Sequence, residues 1–281
     1  MPHAFTLEAA EQWALERTAS LTADRFRLTS FWYIDYIRQH VPRERKTRYR
    51  MRLAQAENYG IAFGRVPPLQ DSDHALVGED TRAILKDRRF RDDIDRTALI
   101  DLVIGHVPAA STHEVILDQT PREKYAFRSR LFAEEAELVL RRKGLHAIKG
   151  SKPHILVIGA TAGMIGALAK RGFEVSATDV CPDVIGQSFS GVTVSPETEN
   201  ARLIEAADLV IITGMTLPNR TLPSLIAAAK THNTSTLVWA ITGRNFGHYY
   251  IEQGVDCVIS DPSPFLMLPG PATIGVWRRE H

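Results

Sequence analysis

The stretch ILVIGATAGMIGALAKRGFEVSATD, from Ile155 to Asp179, decides the fold of the carboxyl half of the chain. It opens with a short apolar run, which is typical of a buried strand. A segment with helical spacing follows Gly159, and a second strand ends at Asp179. A strand, a tight glycine turn, a helix and another strand form the first unit of a doubly wound sheet.

The same alternation of apolar runs and helical segments continues to the end of the chain. Further strands are predicted at 192–194, 209–213, 236–241, 256–260 and 273–277, the last of them at an edge. Apolar strands separated by helices favour a parallel sheet covered on both faces. We therefore predict the α/β class, with a doubly wound, mostly parallel Rossmann-like sheet over residues 151–281.

Residues 1–150 are richer in Arg, Glu and aromatic side chains. Apolar residues recur at helical spacing over 5–40, and another helix is predicted at 45–59. Residues 60–76 contain two prolines and are predicted to be a loop. Further helices are predicted at 81–90, 93–106 and 121–142, with a weak strand at 115–117. The sequence thus predicts an N-terminal, mainly helical cap domain over 1–150 that closes over a substrate.

Composition excludes several classes of protein. The net charge of +1 gives no field that would attract nucleic acid. No apolar run is long enough to cross a membrane, and the acidic, amphipathic N-terminus is unlike a signal peptide. The two cysteines, Cys181 and Cys257, fit a reducing compartment. We expect a cytoplasmic protein with a small-molecule substrate and no nucleic-acid or membrane partner, and a homo-oligomer is compatible with the sequence.

The first βα turn predicts the type of ligand. Its residues are Gly159, Ala160, Thr161, Ala162 and Gly163, followed by Gly166. A dinucleotide site has the spacing GxGxxG, but Thr161 stands where the glycine beside the pyrophosphate would be. Asp179, 20 residues after Gly159, is placed to accept ribose hydroxyls. This favours S-adenosylmethionine (SAM), which has a ribose but no phosphate, although any α/β fold needs such a glycine turn and an Asp after some strand.

A second polar loop follows the predicted strand 209–213. It contains Thr213, Gly214, Met215 and Asn219. Residues at the carboxyl ends of parallel strands face the ligand edge of such a sheet, so these four are candidate SAM contacts. For Asn219 a helix-capping role is at least as well supported.

Aromatic side chains of the amino half are the candidate catalytic groups. Trp32, Tyr33 and Tyr36 lie in the segment FWYIDY, and Tyr125 lies in the predicted helix 121–142. Aromatic faces stabilise a sulfonium by cation–π attraction and exclude water. Packing in the core is the alternative explanation for the same residues. The histidines form no HxH or HExxH pattern, so no metal is expected.

The segment ADLVIITGMTLPNRTLPSLIAAAK, together with TGRNF and GVDCVISDP, resembles the family named "Putative heavy-metal chelation" over roughly residues 155–265. The resemblance is carried by Thr213, Gly214, Thr216, Leu217, Asn219, Thr221 and Leu222, and it implies a Rossmann-like carboxyl domain. The whole arrangement also resembles the azetidine-2-carboxylate synthases, which are related to SAM methyltransferases. That resemblance implies SAM as the substrate and a helical cap over it.

Three functions are compatible with these observations. The preferred one is cyclisation of SAM, in which its α-amine attacks its own γ-carbon and releases methylthioadenosine and azetidine-2-carboxylate. The first alternative is a small-molecule methyltransferase that uses the same site. The second is a non-catalytic domain that binds a metal complex or a metabolite.

Overall fold

A computed structural model describes residues 5–40, 45–65, 76–87, 89, 92–108, 113–145, 152–263, 266 and 268–280. The chain divides into two compact units. Unit 1 comprises Met1–Ala110, Gly214–Pro223 and Ala240–Gln253, and unit 2 comprises Ser111–Thr213, Ser224–Trp239 and Gly254–His281. The boundary predicted at residue 150 therefore differs from this division, because residues 111–150 fall in unit 2 and two later segments fall in unit 1.

Unit 1 begins with six elements: α1 (Leu7–Arg17), β1 (Ser30–His40), β2 (Arg45–Gln55), β3 (Tyr59–Arg65), α2 (Thr81–Lys86) and α3 (Asp93–Ile104). The three strands form an antiparallel sheet in the order β1-β2-β3. Helix α3 packs closely on β3, since a Cβ atom at Gly60 would lie only 2.1 Å from the carbonyl oxygen of Ala98. A glycine is thus required where the helix crosses the strand.

The prediction of a mainly helical amino half is wrong over β1 and β2, and the predicted loop is wrong over β3. The cause lies in buried arginines on the inward face of the sheet. Arg50 pairs with Asp35 at 2.7 Å and Arg52 pairs with Asp95 at 2.6 Å. The alternation of Arg50 and Arg52 with Met51 and Leu53 has the period of a strand, but arginines are read from sequence as exposed residues, so the burial of both faces was not expected. The helices predicted at 81–90 and 93–106 are confirmed as α2 and α3.

Asp101 fastens a later segment of unit 1 to this sheet and helix. Its carboxylate is fully buried and accepts the backbone N–H groups of Ile61 at 2.8 Å and Asn245 at 2.7 Å. Asn245 in turn donates its side-chain amide to the carbonyl oxygens of Tyr59 and Asp101. Burial raises the pKa of the Asp101 carboxyl to about 8, although these backbone donors oppose the shift.

Unit 2 contains most of the remaining elements. The helices are α4 (Pro121–Arg142), α5 (Ala162–Lys170), α6 (Asn200–Ala206) and α7 (Leu222–Thr231), the last of which begins in unit 1; α8 (Gly247–Glu252) belongs to unit 1. The strands are β4 (His113–Leu117), β5 (His154–Ile158), β6 (Glu174–Asp179), β7 (Ser188–Phe189), β8 (Val192–Pro196), β9 (Leu209–Thr213), β10 (Ser235–Ala240), β11 (Cys257–Ser260) and β12 (Ala272–Arg278).

These strands form a nine-stranded sheet in the order β4-β12-β11-β10-β9-β5-β6-β8-β7. Its centre is parallel, with β9 and β6 on either side of β5, and β12 pairs antiparallel with both β11 and β4. The predicted α/β class with a mostly parallel Rossmann-like sheet is confirmed. The expectation that the last strand lies at an edge is wrong, because the weakly predicted strand β4 covers it.

Within the described residues, the structure has no helix that is both long enough and apolar enough to span a membrane.

The buried Asp101 predicts a pH-dependent stability. An unfolded Asp titrates near pKa ~3.9, whereas Asp101 titrates at about 8 in the folded chain. Between these values the folded chain binds more protons at Asp101, so the contribution of this carboxyl to stability is fully present below about pH 4 and falls by up to about 1.4 kcal/mol per pH unit towards pH 8. We expect urea unfolding of the wild type to show this decline.

Asp101→Asn should flatten that decline. It should also cost about 1–3 kcal/mol at pH 5, because an amide NH₂ replaces one accepting oxygen. Asp24→Asn is the matched control, since 88% of the Asp24 side chain is exposed. If the free energy of unfolding changed equally with pH in wild type and in Asp101→Asn, the raised pKa of Asp101 would be contradicted.

Candidate functional site

The turn between β5 and α5 has a backbone that only glycine adopts easily. Gly159 has a φ of 90°, and a Cβ atom there would lie 2.6 Å from Cγ2 of Thr213. Both the torsion angle and the close approach of β9 therefore exclude a larger residue. The structure thus brings together two of the predicted contacts, Gly159 and Thr213.

Asp179 fixes the same turn from the end of β6. Its Oδ2 accepts the N–H of Ala160 at 2.9 Å, and its Oδ1 accepts the N–H of Cys181 at 2.8 Å. Asp179 holds the turn in shape, and its contact with a ribose stays a prediction.

Helix α5 begins directly after the turn. Thr161 is its N-cap residue, in an extended conformation and with no hydrogen bond from its side chain to the helix. The first N–H groups of a helix have no partner within the helix and favour anionic or polar ligands. Ala162 and Gly163 form the first turn of α5, and a Cβ atom at Gly163 would lie 2.9 Å from Oγ of Ser129 on α4. The absence of a side chain at Gly163 therefore lets α4 approach the turn.

Helix α4 presents a stripe of side chains to this part of unit 2. It starts with a capping box between Thr120 and Glu123, as the Thr-Pro start predicts. Tyr125, Arg128, Ser129 and Phe132 have the spacing i, i+3, i+4 and i+7 of one helix face. The guanidinium of Arg128 lies 4.3 Å from the ring centre of Tyr125 and 5.4 Å from that of Trp239. Tyr125, a predicted catalytic residue, therefore packs against a cation of its own helix.

A buried aspartate contacts the guanidinium of Arg128. Asp261 follows β11, is fully buried, and accepts Nη1 of Arg128 at 2.9 Å and Nε1 of Trp239 at 3.1 Å on Oδ2. Its Oδ1 accepts the N–H of Ser263 at 2.9 Å and the hydroxyl at 2.8 Å. These four donors satisfy the carboxylate and fix the guanidinium against it.

Three predicted SAM contacts belong to unit 1. A Cβ atom at Gly214 would lie 2.2 Å from the carbonyl oxygen of Thr242. Met215 packs against the apolar cluster of Met51, Leu53, Ile61 and Phe63. Oδ1 of Asn219 accepts the N–H and the hydroxyl of Thr221 at 3.2 and 2.7 Å, which is the capping alternative rather than a ligand contact. Each of the three residues thus makes packing or hydrogen-bond contacts that stabilise unit 1.

The predicted aromatic wall of the amino half needs correction. In strand β1, neighbouring side chains point to opposite faces, so Trp32 and Tyr33 do not form one surface. The ring of Tyr33 is covered by the guanidinium of Arg50 at 4.4 Å, an environment that repels a sulfonium. Tyr36 stands opposite Tyr49 in the register, and its side chain lies outside the described residues. Trp32 is 39% exposed.

Sequence reasoning overlooked Trp239 and Asp261 as site residues. Their positions could have identified them, because both lie near or just after the carboxyl ends of predicted strands, where ligands bind in such folds. A tryptophan in an otherwise apolar strand also needs an acceptor for its N–H, and a nearby Asp provides one.

The geometry defines an α/β protein with a Rossmann-like sheet. Residues 145–239 match the model of the DUF364 family, described as "Putative heavy-metal chelation". A protein of unknown function from that family in Pyrococcus horikoshii has a similar structure, with a TM-score of 0.54, 12% identity and coverage of 98% of this chain and 100% of that one. One from Desulfitobacterium hafniense has a TM-score of 0.51 and 11% identity, with coverage of 97% and 99%. At these identities the similarity concerns the fold alone. No curated protein matches the chain in sequence.

The described residues do not fit the metal centre that the family's description suggests. They contain no group of three or more His, Cys, Asp or Glu side chains placed to hold an ion. Cys257 is fully buried, and burial raises the pKa of its thiol, which disfavours the thiolate that metals bind. Its neighbour Glu135 already forms an ion pair with Arg278. We derive no metal chemistry from this donor set.

The role of Asp179 in the turn predicts a loss of stability when it is removed. Asp179→Ala should cost about 1–3 kcal/mol, because the N–H groups of Ala160 and Cys181 lose their acceptor. Asp179→Asn keeps one accepting oxygen and should lie between Ala and wild type. The measurement is urea unfolding, with Glu174→Ala as the control because Glu174 is an exposed carboxylate at the other end of β6. If Asp179→Ala were as stable as wild type, Asp179 would not stabilise the turn.

Proposed function

We propose that unit 2 binds SAM at the β5–α5 turn and that the chain converts SAM into azetidine-2-carboxylate and methylthioadenosine. The observation that carries the binding is the turn itself. Gly159 and Asp179 fix its conformation, and Asp179 stands at the carboxyl end of β6, where a carboxylate of this fold accepts ribose hydroxyls. A preformed site of this kind avoids the cost of ordering a loop when the ligand binds.

Thr161 supports SAM over a dinucleotide. A pyrophosphate needs close approach to the backbone, which glycine permits at this position and a β-branched residue obstructs. Thr161 is the N-cap residue directly before helix α5 and has an extended backbone. SAM brings no phosphate to this position.

The proposed reaction balances without a second substrate. The SAM ammonium loses one proton to solvent, and the resulting amine attacks the γ-carbon. The bond between that carbon and sulfur breaks with its electron pair going to sulfur, which leaves neutral methylthioadenosine and a protonated four-membered ring. The protein's contribution is to fold the aminobutyrate chain into the reactive geometry and to exclude water.

The choice of ligand is testable by thermal unfolding of the full chain. SAM and methylthioadenosine should raise Tm, corresponding to about 2.7 kcal/mol at a ligand concentration 100 times Kd. NAD and NADP should have little effect. Asp179→Ala should weaken SAM binding at least about tenfold, because it removes charge-assisted hydrogen bonds, and Glu174→Ala should bind as wild type does. Stabilisation by dinucleotides instead of SAM would refute the proposal.

The reaction is testable by product analysis after incubation with SAM alone. Cyclisation predicts methylthioadenosine and azetidine-2-carboxylate in equal amounts without an acceptor. Adenosylhomocysteine that forms only when an acceptor is added would establish methyl transfer instead. Binding of SAM with neither product would indicate a binding domain.

A further inference from the structure

Arg128 has far fewer hydrogen bonds than its burial demands. Only 11% of its side chain is exposed. A guanidinium carries five N–H donors, and among the described residues Arg128 makes one hydrogen bond, from Nη1 to Asp261. Its Nε is buried and meets no acceptor in the described part of the chain. A buried donor without an acceptor costs stability, so this arrangement requires an explanation.

The surroundings of Arg128 show that the ion pair with Asp261 does not use the whole guanidinium. Asp261 is satisfied by four donors and accepts only Nη1 of Arg128. The rings of Tyr125 and Trp239 lie 4.3 and 5.4 Å from the guanidinium carbon and contact it by cation–π attraction. The ion pair accounts for the charge of Arg128, but within the described residues it leaves the buried Nε without an acceptor. A ligand oxygen in the plane of the guanidinium would supply that acceptor.

We propose that Arg128 binds the carboxylate of the ligand in unit 2, held in place by Asp261 and the rings of Tyr125 and Trp239. A carboxylate matches the fork of a guanidinium with two parallel hydrogen bonds. The location agrees, since Ser129, the next residue of α4, borders Gly163 in the β5–α5 turn. Asp261 acts as a positioning residue because it contacts Arg128 and not the ligand.

This inference rests on the proposed function and adds the group that recognises the amino-acid end of SAM. An anchored carboxylate fixes the α-carbon, so the amine can fold towards the γ-carbon of the same chain. The first turn of α5 is the competing anion site, and the experiment must separate the two.

The experiment compares three ligands by calorimetric titration of the full chain. SAM carries the carboxylate, decarboxylated SAM lacks that group alone, and methylthioadenosine lacks the whole aminobutyrate chain. Wild type should bind SAM at least about tenfold more tightly than decarboxylated SAM, since a bidentate charge-assisted contact is lost. Arg128→Lys should reduce this preference to within about threefold and leave methylthioadenosine binding unchanged. A lysine retains the charge beside Asp261 but cannot form the planar fork.

Two further variants separate recognition from folding. Arg130→Lys is the matched control on α4, because Arg130 is exposed and lies over Phe127; it should keep the full preference. The double variant Arg128→Gln/Asp261→Asn removes both charges, so no buried charge is left unpaired, and it should also lose the preference for SAM.

Each outcome decides the inference. Equal binding of SAM and decarboxylated SAM by wild type would overturn the role of Arg128 while SAM binding stands. A preference that survives Arg128→Lys would assign the carboxylate to α5 and also overturn it. If none of the three ligands binds, the proposed function and this inference fail together.

Discussion

Aspartates that accept backbone N–H groups hold the loops of both units in place. A loop beside a buried sheet exposes N–H groups that cannot reach water, and each one left unsatisfied costs free energy. Among the described residues, and apart from the helix caps, five aspartates supply such acceptors, with donors in parentheses: Asp101 (Ile61, Asn245), Asp179 (Ala160, Cys181), Asp208 (His154), Asp256 (Thr236) and Asp261 (Ser263). The loops of the sheet therefore depend on side chains from other elements as well as on their own backbone.

The same constraint applies at the candidate site, where two aspartates connect separate elements of unit 2. Asp179 joins the ends of β5 and β6, and Asp261 joins the end of β11 to Arg128 on α4. Each aspartate combines a structural task with a position at the carboxyl edge of the sheet, where ligands bind in doubly wound folds.

The sequence predicted unit 2 well because its strands are continuous apolar runs. HILVI and LVIIT are buried on both faces, and no charged residue interrupts them. Unit 1 was predicted poorly because RKTRYRMRLAQ, which forms β2, carries arginines on its inward face. The alternation of Arg50 and Arg52 with Met51 and Leu53 was a usable strand signal, but the carboxylates that neutralise these arginines lie on other elements, 15 and 43 residues away.

Some residues of the candidate site could likewise be predicted from the sequence, and others could not. Gly159 and Asp179 were predictable because the glycine turn and the strand-end carboxylate have a fixed spacing in this fold. The contact of Arg128 with Asp261 was not, since the two residues lie 133 positions apart in the chain. Such contacts depend on how α4 packs, and a single sequence contains no direct record of that packing.

The central claim is that the β5–α5 turn is where SAM binds. Hydrogen–deuterium exchange of the full chain, with and without saturating SAM, tests it most directly because it reports on individual peptides. The account predicts slower exchange in peptides that cover residues 155–170 and 176–182. Unchanged exchange in both peptides, in the presence of SAM binding established by titration, would contradict it.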